Sequence, residues 1–372
     1  MLKESNVREG YYQRGLSLVE LMVSIVIGLL ILAGVVQVVF TSKATFLAQE
    51  DMSYIQENAR YAMSVLGKDI RGAGYWGCTN SNPRSSNVLD IDAATSPDAA
   101  QLVGTAGVMG FNAATTSKFP IETGGTYTRW TMATHDTESF IVRYAGGTPW
   151  SIVNDSGANA FMQIQGNAND PAFQAGDFLV ATALDCKSIG VFQATDETGG
   201  PLGGFQVQTI SYASTGGVNC STKIKLGSSD PSSVCPGGAG GSTFYFPGAT
   251  LMKYFAHGYF IEESSVLAGQ PALKRMVLTN TGGTREEEIA VGVEDMLIMY
   301  GVQVGAAVQL KRADEVAATE WPSVVSMQVN MLFRSQSESL PQTTTTNYLG
   351  NTYNDRYLRQ VVTSTYKLRN RT

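Results

Sequence analysis

Side chains that commonly carry catalysis or bind metals are scarce in this 372-residue chain. It has two histidines, His135 and His257, and neither a Gly-x-Ser-x-Gly elbow nor a Walker phosphate loop. His135 lies between predicted strands and His257 lies in an aromatic run, so we interpret both as surface or packing residues. We therefore expect that the protein is not an enzyme and that it uses no cofactor and no metal.

A glycine pattern, Gly72-x-Gly74-x-x-Gly77, matches the dinucleotide-binding fingerprint. That fingerprint needs a strand before it and a helix after it, so that the helix N-terminus faces the pyrophosphate. Here a predicted helix comes first. We therefore predict that these glycines end the helix and bind no nucleotide.

The four cysteines are Cys78, Cys186, Cys220 and Cys235, and none forms a C-x-x-C pair, so their spacing argues against a structural zinc site. An even number of cysteines suits an oxidising compartment such as the periplasm. Three disulfide connectivities are open. We favour Cys220–Cys235, which flank a Gly/Ser/Pro-rich stretch, because closing a loop of about 15 residues contributes roughly 3 kcal/mol. Cys78–Cys186 would then join the end of the predicted helix to the sheet.

Glu20 is the only charged residue between positions 16 and 42. The apolar run around it holds about 25 residues, which as a helix is about 37 Å long. A bilayer core of about 30 Å needs only about 20 residues. We predict that 16–42 spans a membrane, where an acid indicates function and requires a partner. The alternative is a glutamate near the helix end that reaches the lipid headgroups.

A short charged leader precedes the apolar run. A secretory signal has its small-residue cleavage site after the apolar region, but here Gly15 comes before it. Cleavage after Gly15 would leave the helix on the mature protein, with Leu16 as its first residue. Lys3, Arg8 and Arg14 mark residues 1–15 as the cytoplasmic side.

The segment Gly15-Leu16-Ser17-Leu18-Val19-Glu20 resembles the class III signal of type IV pilins and type II secretion pseudopilins. The resemblance implies that prepilin peptidase cuts between Gly15 and Leu16 and methylates the new amine of Leu16. It also implies that the Glu20 carboxylate meets the N-terminal amine of a neighbouring subunit and sets its axial register.

Helical periodicity continues past the apolar run, and no proline occurs before Pro83. We predict one helix from Leu16 to about Arg71, whose second half, 43–74, is amphipathic. The positions expected to be buried recur every three to five residues: Ala44, Leu47, Met52, Ile55, Ala59, Ala62, Leu66 and Ile70. The expected polar positions between them include Asp69.

Short β-type runs separated by turn residues fill 75–372, which we predict to be one β-rich antiparallel domain. The predicted strands are 140–144 (ending at Gly146-Gly147), 177–181, 190–195, 205–210, 251–260, 296–304, 324–333 and 360–368. We expect 236–242 to be a loop and 335–347 to be a mobile polar connection. The fold class is therefore α+β, a pilin-like long helix packed on an antiparallel β-rich domain.

Several segments after the helix resemble PilW-type minor pilins, so that the likeness covers nearly the whole chain, with a divergent middle at 80–170 and 195–285. The segments are 69–78, 176–180, 289–296, 300–302 and Trp321 with the strand that follows it. The implied role is to initiate or cap type IV pilus assembly for adhesion, twitching motility or DNA uptake. The implied location is the inner membrane of a Gram-negative bacterium, with the C-terminal domain in the periplasm, and then the pilus.

The implied partners are the other minor pilins, the major pilin, the assembly platform, prepilin peptidase and a large tip adhesin. The net charge is −6 and there is no basic tract, so we expect no nucleic acid to bind the folded domain. Two alternatives remain: a J-type pseudopilin of a type II secretion system and a membrane-tethered periplasmic binding protein.

Overall fold

The computed structural model describes residues 17–78, 84–91, 96–112, 137–156, 159–202, 204–214, 217–221 and 248–369. A single helix, α1 (Leu18–Gly72), opens the described chain and runs for 55 residues. No proline interrupts it, as predicted. It ends where Gly74 adopts φ +74° and donates its N–H to the carbonyl of Arg143 at 2.9 Å. Glycine takes this left-handed conformation without steric cost, so Gly74 allows the chain to turn away from the helix axis just after the helix end.

Only the C-terminal part of α1 packs against the rest of the described chain. The buried apolar stripe begins at Ile55 and continues through Ala59, Ala62, Leu66 and Ile70. The predicted burial of the earlier positions is wrong: Ala44 and Met52 are half-buried, and Leu47 is 37% exposed. The helix is longer than the strands that cover it, so the turns before Ile55 extend beyond the sheet.

The described strands after α1 form three sheets. The first sheet has eleven described strands: β1 (Arg84–Asn87), β2 (Val108–Phe111), β3 (Ser139–Ser156), β4 (Phe161–Asn167), β5 (Phe178–Thr182), β6 (Ser188–Gln193), β7 (Asp196–Leu202), β8 (Phe205–Ser211), β9 (Thr250–Glu263), β10 (Pro271–Leu278) and β11 (Thr284–Val291). The second sheet has β12 (Val293–Val304), β13 (Ala307–Lys311), β14 (Val324–Glu338) and β17 (Tyr357–Lys367). The third is a hairpin of β15 (Thr344–Tyr348) and β16 (Asn351–Asp355). A short helix, α2 (Pro97–Leu102), lies between β1 and β2.

Both large sheets are built mainly from antiparallel pairs. The first has the order β1-β6-β5-β9-β3-β4-β8-β7, with β10 and β11 added beyond β9 and β2 added to β3. Its β1–β6 pair is parallel. The second has the order β13-β12-β14-β17. The α+β fold predicted from the sequence is therefore confirmed.

The main core lies between α1, the second sheet and neighbouring strands of the first sheet. Leu66 and Ile70 of the helix join Met296, Met327 and Tyr366 of the strands in one buried cluster. Fully burying a large apolar side chain contributes about 1.5–3 kcal/mol, so this cluster is a major attachment of the helix to the domain. Two further clusters, around Trp150 and around Trp76, fill the first sheet.

Two predictions about the β region are wrong. Strand β3 continues through Gly146 and Gly147, where a register shift before Trp150 absorbs the glycines as a bulge. The expected polar connection 335–347 is largely strand, because β14 extends to Glu338 and β15 pairs with β16. Tyr348 and Tyr353 of that hairpin pack on Leu332, which gives its polar sequence a core. The predicted loop 236–242 lies outside the described residues.

Candidate functional site: the N-terminal helix and its attachment

The predicted assembly segment begins at a capped helix N-terminus. Ser17 is the N-cap, and its Oγ accepts a hydrogen bond from the backbone N–H of Glu20 at 3.2 Å. The spacing Ser-x-x-Glu is that of a capping box, a signal that locates this helix start from sequence alone. The Glu20 side chain is exposed, and Ser24 Oγ donates to the Glu20 carbonyl at 2.7 Å. Gly15 and Leu16, the predicted cleavage and methylation sites, lie outside the described residues.

An uninterrupted apolar surface surrounds Glu20. The large apolar side chains from Leu18 to Phe40 are each 42–76% exposed. Within the described chain, α1 is the helix that is long and apolar enough to cross a membrane. Its apolar stretch of 18 residues has no buried residue. A helix that is apolar on all sides is stable in lipid or among other apolar helices, not in water. This half of α1 therefore requires an environment that the chain does not supply itself.

Asp69 attaches the other half of α1 to the first sheet. It is 2% exposed, which overturns its predicted place on the polar face. Tyr259 and Tyr144 donate their hydroxyls to its carboxylate at 2.5 and 3.0 Å. His257 Nδ1 lies 2.5 Å from the same carboxylate, and Arg275 Nη1 lies 3.7 Å away.

These contacts also correct the interpretation of His257, whose Nδ1 lies within hydrogen-bonding distance of the buried Asp69 carboxylate and which is more than a surface or packing residue. Spacing carried the signal for Asp69, because it lies three residues after Leu66 and seven after Ala62, on the buried stripe. Because aspartate is charged, the sequence alone favours the polar face of the helix for this position.

The Asp69 cluster favours an ionised carboxylate beside neutral phenols. Burial by itself raises the pKa of Asp69, but the hydrogen bond and charge of His257 and the two tyrosine hydroxyls outweigh it, and the pKa is lowered. Burial and the Asp69 charge raise the pKa of both Tyr144 and Tyr259. A paired, fully hydrogen-bonded buried charge resists being pulled out of its site, because removing one partner leaves the other uncompensated.

Two further attachments flank this cluster. Tyr366 Oη donates to the carbonyl of Met63 at 2.7 Å, and a Cβ at Gly67 would lie 2.6 Å from the Tyr366 ring. Glycine thus permits the close approach of helix and strand. Beyond the helix end, Cys78 is bonded to Cys186 with a Cα–Cα distance of 5.6 Å.

That bond is the pairing favoured from the sequence, and it joins the helix exit to the β5–β6 connection. Cys220 is also disulfide-bonded. Cys235, its expected partner, lies outside the described residues. In the part of the chain that the structure describes, no group of three His, Cys, Asp or Glu residues is placed to hold a metal ion.

Comparison with known proteins yields two family matches. Residues 11–36 match the prokaryotic N-terminal methylation motif, and residues 258–370 match the type IV pilus-assembly protein W family, PilW. Among solved structures, the chain is similar to the type IV-like pilin TTHA1219 from Thermus thermophilus, with 16% identity. That similarity covers 32% of this chain and 68% of the other at a TM-score of 0.20. No curated protein matches the chain.

The two matched segments lie near the N-terminus and the C-terminus of the chain. The methylation motif covers the capped, apolar start of α1 with Glu20. The PilW match covers the end of β9 and all of β10 to β17, including the sheet on which α1 packs. The helix start that matches the methylation motif and the C-terminal strands that match the PilW family together support a PilW-type type IV pilin.

Proposed function

We propose that this protein is a minor pilin that helps to initiate or cap the assembly of a type IV pilus. The observation that carries the proposal is a long apolar helix with one acid, rigidly attached to a β-rich domain at its far end. Such a subunit has a stem that suits lipid before assembly and helix-to-helix packing after it. The filament would serve adhesion, twitching motility or DNA uptake.

Processing is the first step of the proposed role. Prepilin peptidase cuts between Gly15 and Leu16 on the cytoplasmic face, and the amine of Leu16 is methylated. The basic leader side chains Lys3, Arg8 and Arg14 support this orientation, since positive charge favours the cytoplasmic side. The β-rich domain then lies in the periplasm of a Gram-negative cell, where its disulfides form.

Assembly is the second step, and Glu20 determines its register. In lipid an unpaired carboxylate is costly, and a cation close to it is strongly stabilising because the dielectric constant is low. The N-terminal amine of a neighbouring subunit supplies that cation. As the helix leaves the membrane, contacts to lipid are replaced by contacts to other pilin helices.

The attachment of α1 to the domain fits a mechanical role. Asp69, and Gly67 with Tyr366, join the end of the helix to strands of the two sheets, and the Cys78–Cys186 bond joins the segment just beyond it to the β5–β6 connection. Force that is applied along the helix is thereby transmitted to the β domain. The partners proposed for this role are the other minor pilins, the major pilin, the assembly platform and a large tip adhesin. The role is structural and not catalytic.

Mass spectrometry of the mature N-terminus tests the processing step. Protein from native membranes is expected to begin at an N-methylated Leu16. A Gly15→Ala variant should keep its leader, whereas the matched control Gly10→Ala, which changes another leader glycine, should be processed normally. A wild-type chain that begins at Met1 in the native envelope would contradict the proposal and would favour a membrane-tethered binding protein.

A further inference from the structure

A cleft of 740 Å³ opens beside the Asp69 cluster. The C-terminal end of α1 forms one wall, and residues of β3, β9, β10 and β11 form most of the rest, together with Asp177, Phe178 and Asn280. Its volume lies in the range of small-molecule sites, and its lining contains aromatic, amide and charged side chains together. The attachment of the helix to the sheet uses only the Asp69 side of it. The remainder has no role in the pilin function proposed above.

Ion pairs line the remainder of the cleft. Lys253 Nζ lies 2.9 Å from Asp177 Oδ2. Arg275 Nη2 and Arg285 Nη2 each lie 2.5 Å from an oxygen of Glu287. An anionic ligand would have to compete with these carboxylates for the cations. A neutral ligand with many hydroxyl groups can instead donate to the carboxylates and accept from the cations while the pairs remain intact.

An aromatic stack lies at the centre of the cleft. Tyr144 and Phe255 stack with ring centroids 5.3 Å apart, and Tyr144 lies against Gly72 on the helix. The Tyr144 hydroxyl is held by Asp69, which fixes the stack. Phe255 is partly exposed and lines the cleft. Apolar C–H faces of a sugar ring pack well on such a surface, while the sugar hydroxyl groups point to polar neighbours.

Two glycines keep this aromatic surface uncovered. A Cβ at Gly146 would lie 3.0 Å from the Phe255 ring, and Gly147 has open space around its Cα at φ +86°. Side chains at these positions would crowd Phe255 or strain the backbone. The register places Gly146 opposite Lys253 and Tyr144 opposite Phe255, so one pair of strands presents the rings beside the ion pairs.

We propose that this cleft binds a neutral oligosaccharide, with Phe255 as the stacking surface and Lys253, Asp177, Arg285 and Glu287 as hydrogen-bonding groups. This inference is independent of the proposed pilus function, because it concerns a ligand of the folded domain whether or not the chain enters a filament. A pilin with such a site would make contact with glycans in its own right.

Binding to purified full-length chain tests the proposal. The detergent must lack a sugar headgroup, and the probes are maltotriose, cellotriose, N,N′,N″-triacetylchitotriose and lacto-N-tetraose, with sialyllactose and inorganic phosphate as anionic comparisons. Saturation-transfer NMR and calorimetric titration are expected to detect saturable binding of at least one neutral probe in the millimolar range or tighter. Failure of all four neutral probes to bind, or binding of the anionic probes alone, would overturn the proposal.

Two variants and one control locate the bound probe. Phe255→Leu keeps an apolar side chain but removes the ring, and should weaken binding about tenfold or more. Arg285→Gln changes a side chain that is 67% exposed, so it should fold normally and still weaken binding severalfold. Phe205→Leu, in the β7–β8 hairpin outside the cleft and 49% exposed, should leave binding unchanged. Equal binding by wild type, Phe255→Leu and Arg285→Gln would overturn the assignment of the cleft.

Discussion

Replacing Asp69 with asparagine should destabilise the protein strongly, because the carboxylate is buried and accepts several hydrogen bonds. Tyr144 and Tyr259 donate to it, and His257 pairs with it. Hydrogen bonds to a charged group contribute about 1.5–3 kcal/mol each. Asparagine keeps one acceptor oxygen but turns an NH₂ group toward the remaining donors. We therefore expect Asp69→Asn to lower the free energy of unfolding by about 3–5 kcal/mol, the usual cost of breaking a buried ion pair.

Urea unfolding of the full-length chain in detergent, followed by tryptophan fluorescence, measures this loss. Trp76 is buried just beyond the helix end and reports on this region. Glu57→Gln, which removes an exposed carboxylate from the same helix, is the matched control and should change little. An Asp69→Asn variant within about 0.5 kcal/mol of wild type would refute the reasoning, because surface substitutions typically fall in that range.

The same carboxylate predicts a pH dependence. The pKa of Asp69 is lower in the folded protein than its ordinary value of 3.8. Its contribution to stability is therefore complete above pH 3.8 and is lost as the pH falls through the lowered folded value. The difference in unfolding free energy between wild type and Asp69→Asn should shrink in that acidic window. A difference that stays constant down to the lowest pH would contradict the assignment.

The remaining predictions concern the other attachments of the helix. Gly67→Ala should cost about 1–3 kcal/mol of stability by overpacking the Tyr366 ring, which lies 2.6 Å from the new Cβ, despite the better helix propensity of alanine. Gly28→Ala, which has nothing within 4 Å, should leave domain stability unchanged in the same urea titration, and equal effects of the two would count against the close packing. Replacing Cys78 and Cys186 together with serine opens a bond between residues 108 apart, so we expect a loss of about 2–5 kcal/mol by non-reducing denaturation. An unchanged midpoint would show that the bond adds no constraint.

The helix and most strands could be predicted because their signals are local. The absence of proline before Pro83 and the glycines after Arg71 bound α1, and runs of β-branched and aromatic residues mark the strands. The hairpin of Thr344–Tyr348 and Asn351–Asp355 cannot be predicted in this way, because its signal is not local. Its Thr- and Asn-rich sequence is typical of a loop, and only the packing of Tyr348 and Tyr353 on Leu332 makes it a strand pair.

Of the candidate sites, one could be predicted from local sequence and two depend on contacts between distant residues. Glu20 could be found from the sequence because a single acid in a long apolar run is visible without any tertiary information. Asp69 could not be recognised from its type, since its partner His257 is 188 residues away. The cleft depends on the register that sets Phe255 against Tyr144, and the register between strands as far apart in the chain as β3 and β9 is not encoded in any local pattern.

The most direct test of the central claim compares pili sheared from cells that carry wild-type chain or Glu20→Ala. The amount of this chain in the pilus fraction is divided by its amount in the membrane, with Ser24→Ala as the control on the next turn of the same helix. The account predicts normal membrane retention and at least about a tenfold lower ratio for Glu20→Ala, equivalent to about 1.4 kcal/mol. A ratio equal to that of wild type and Ser24→Ala would contradict the claim that the Glu20 carboxylate places this subunit in the filament.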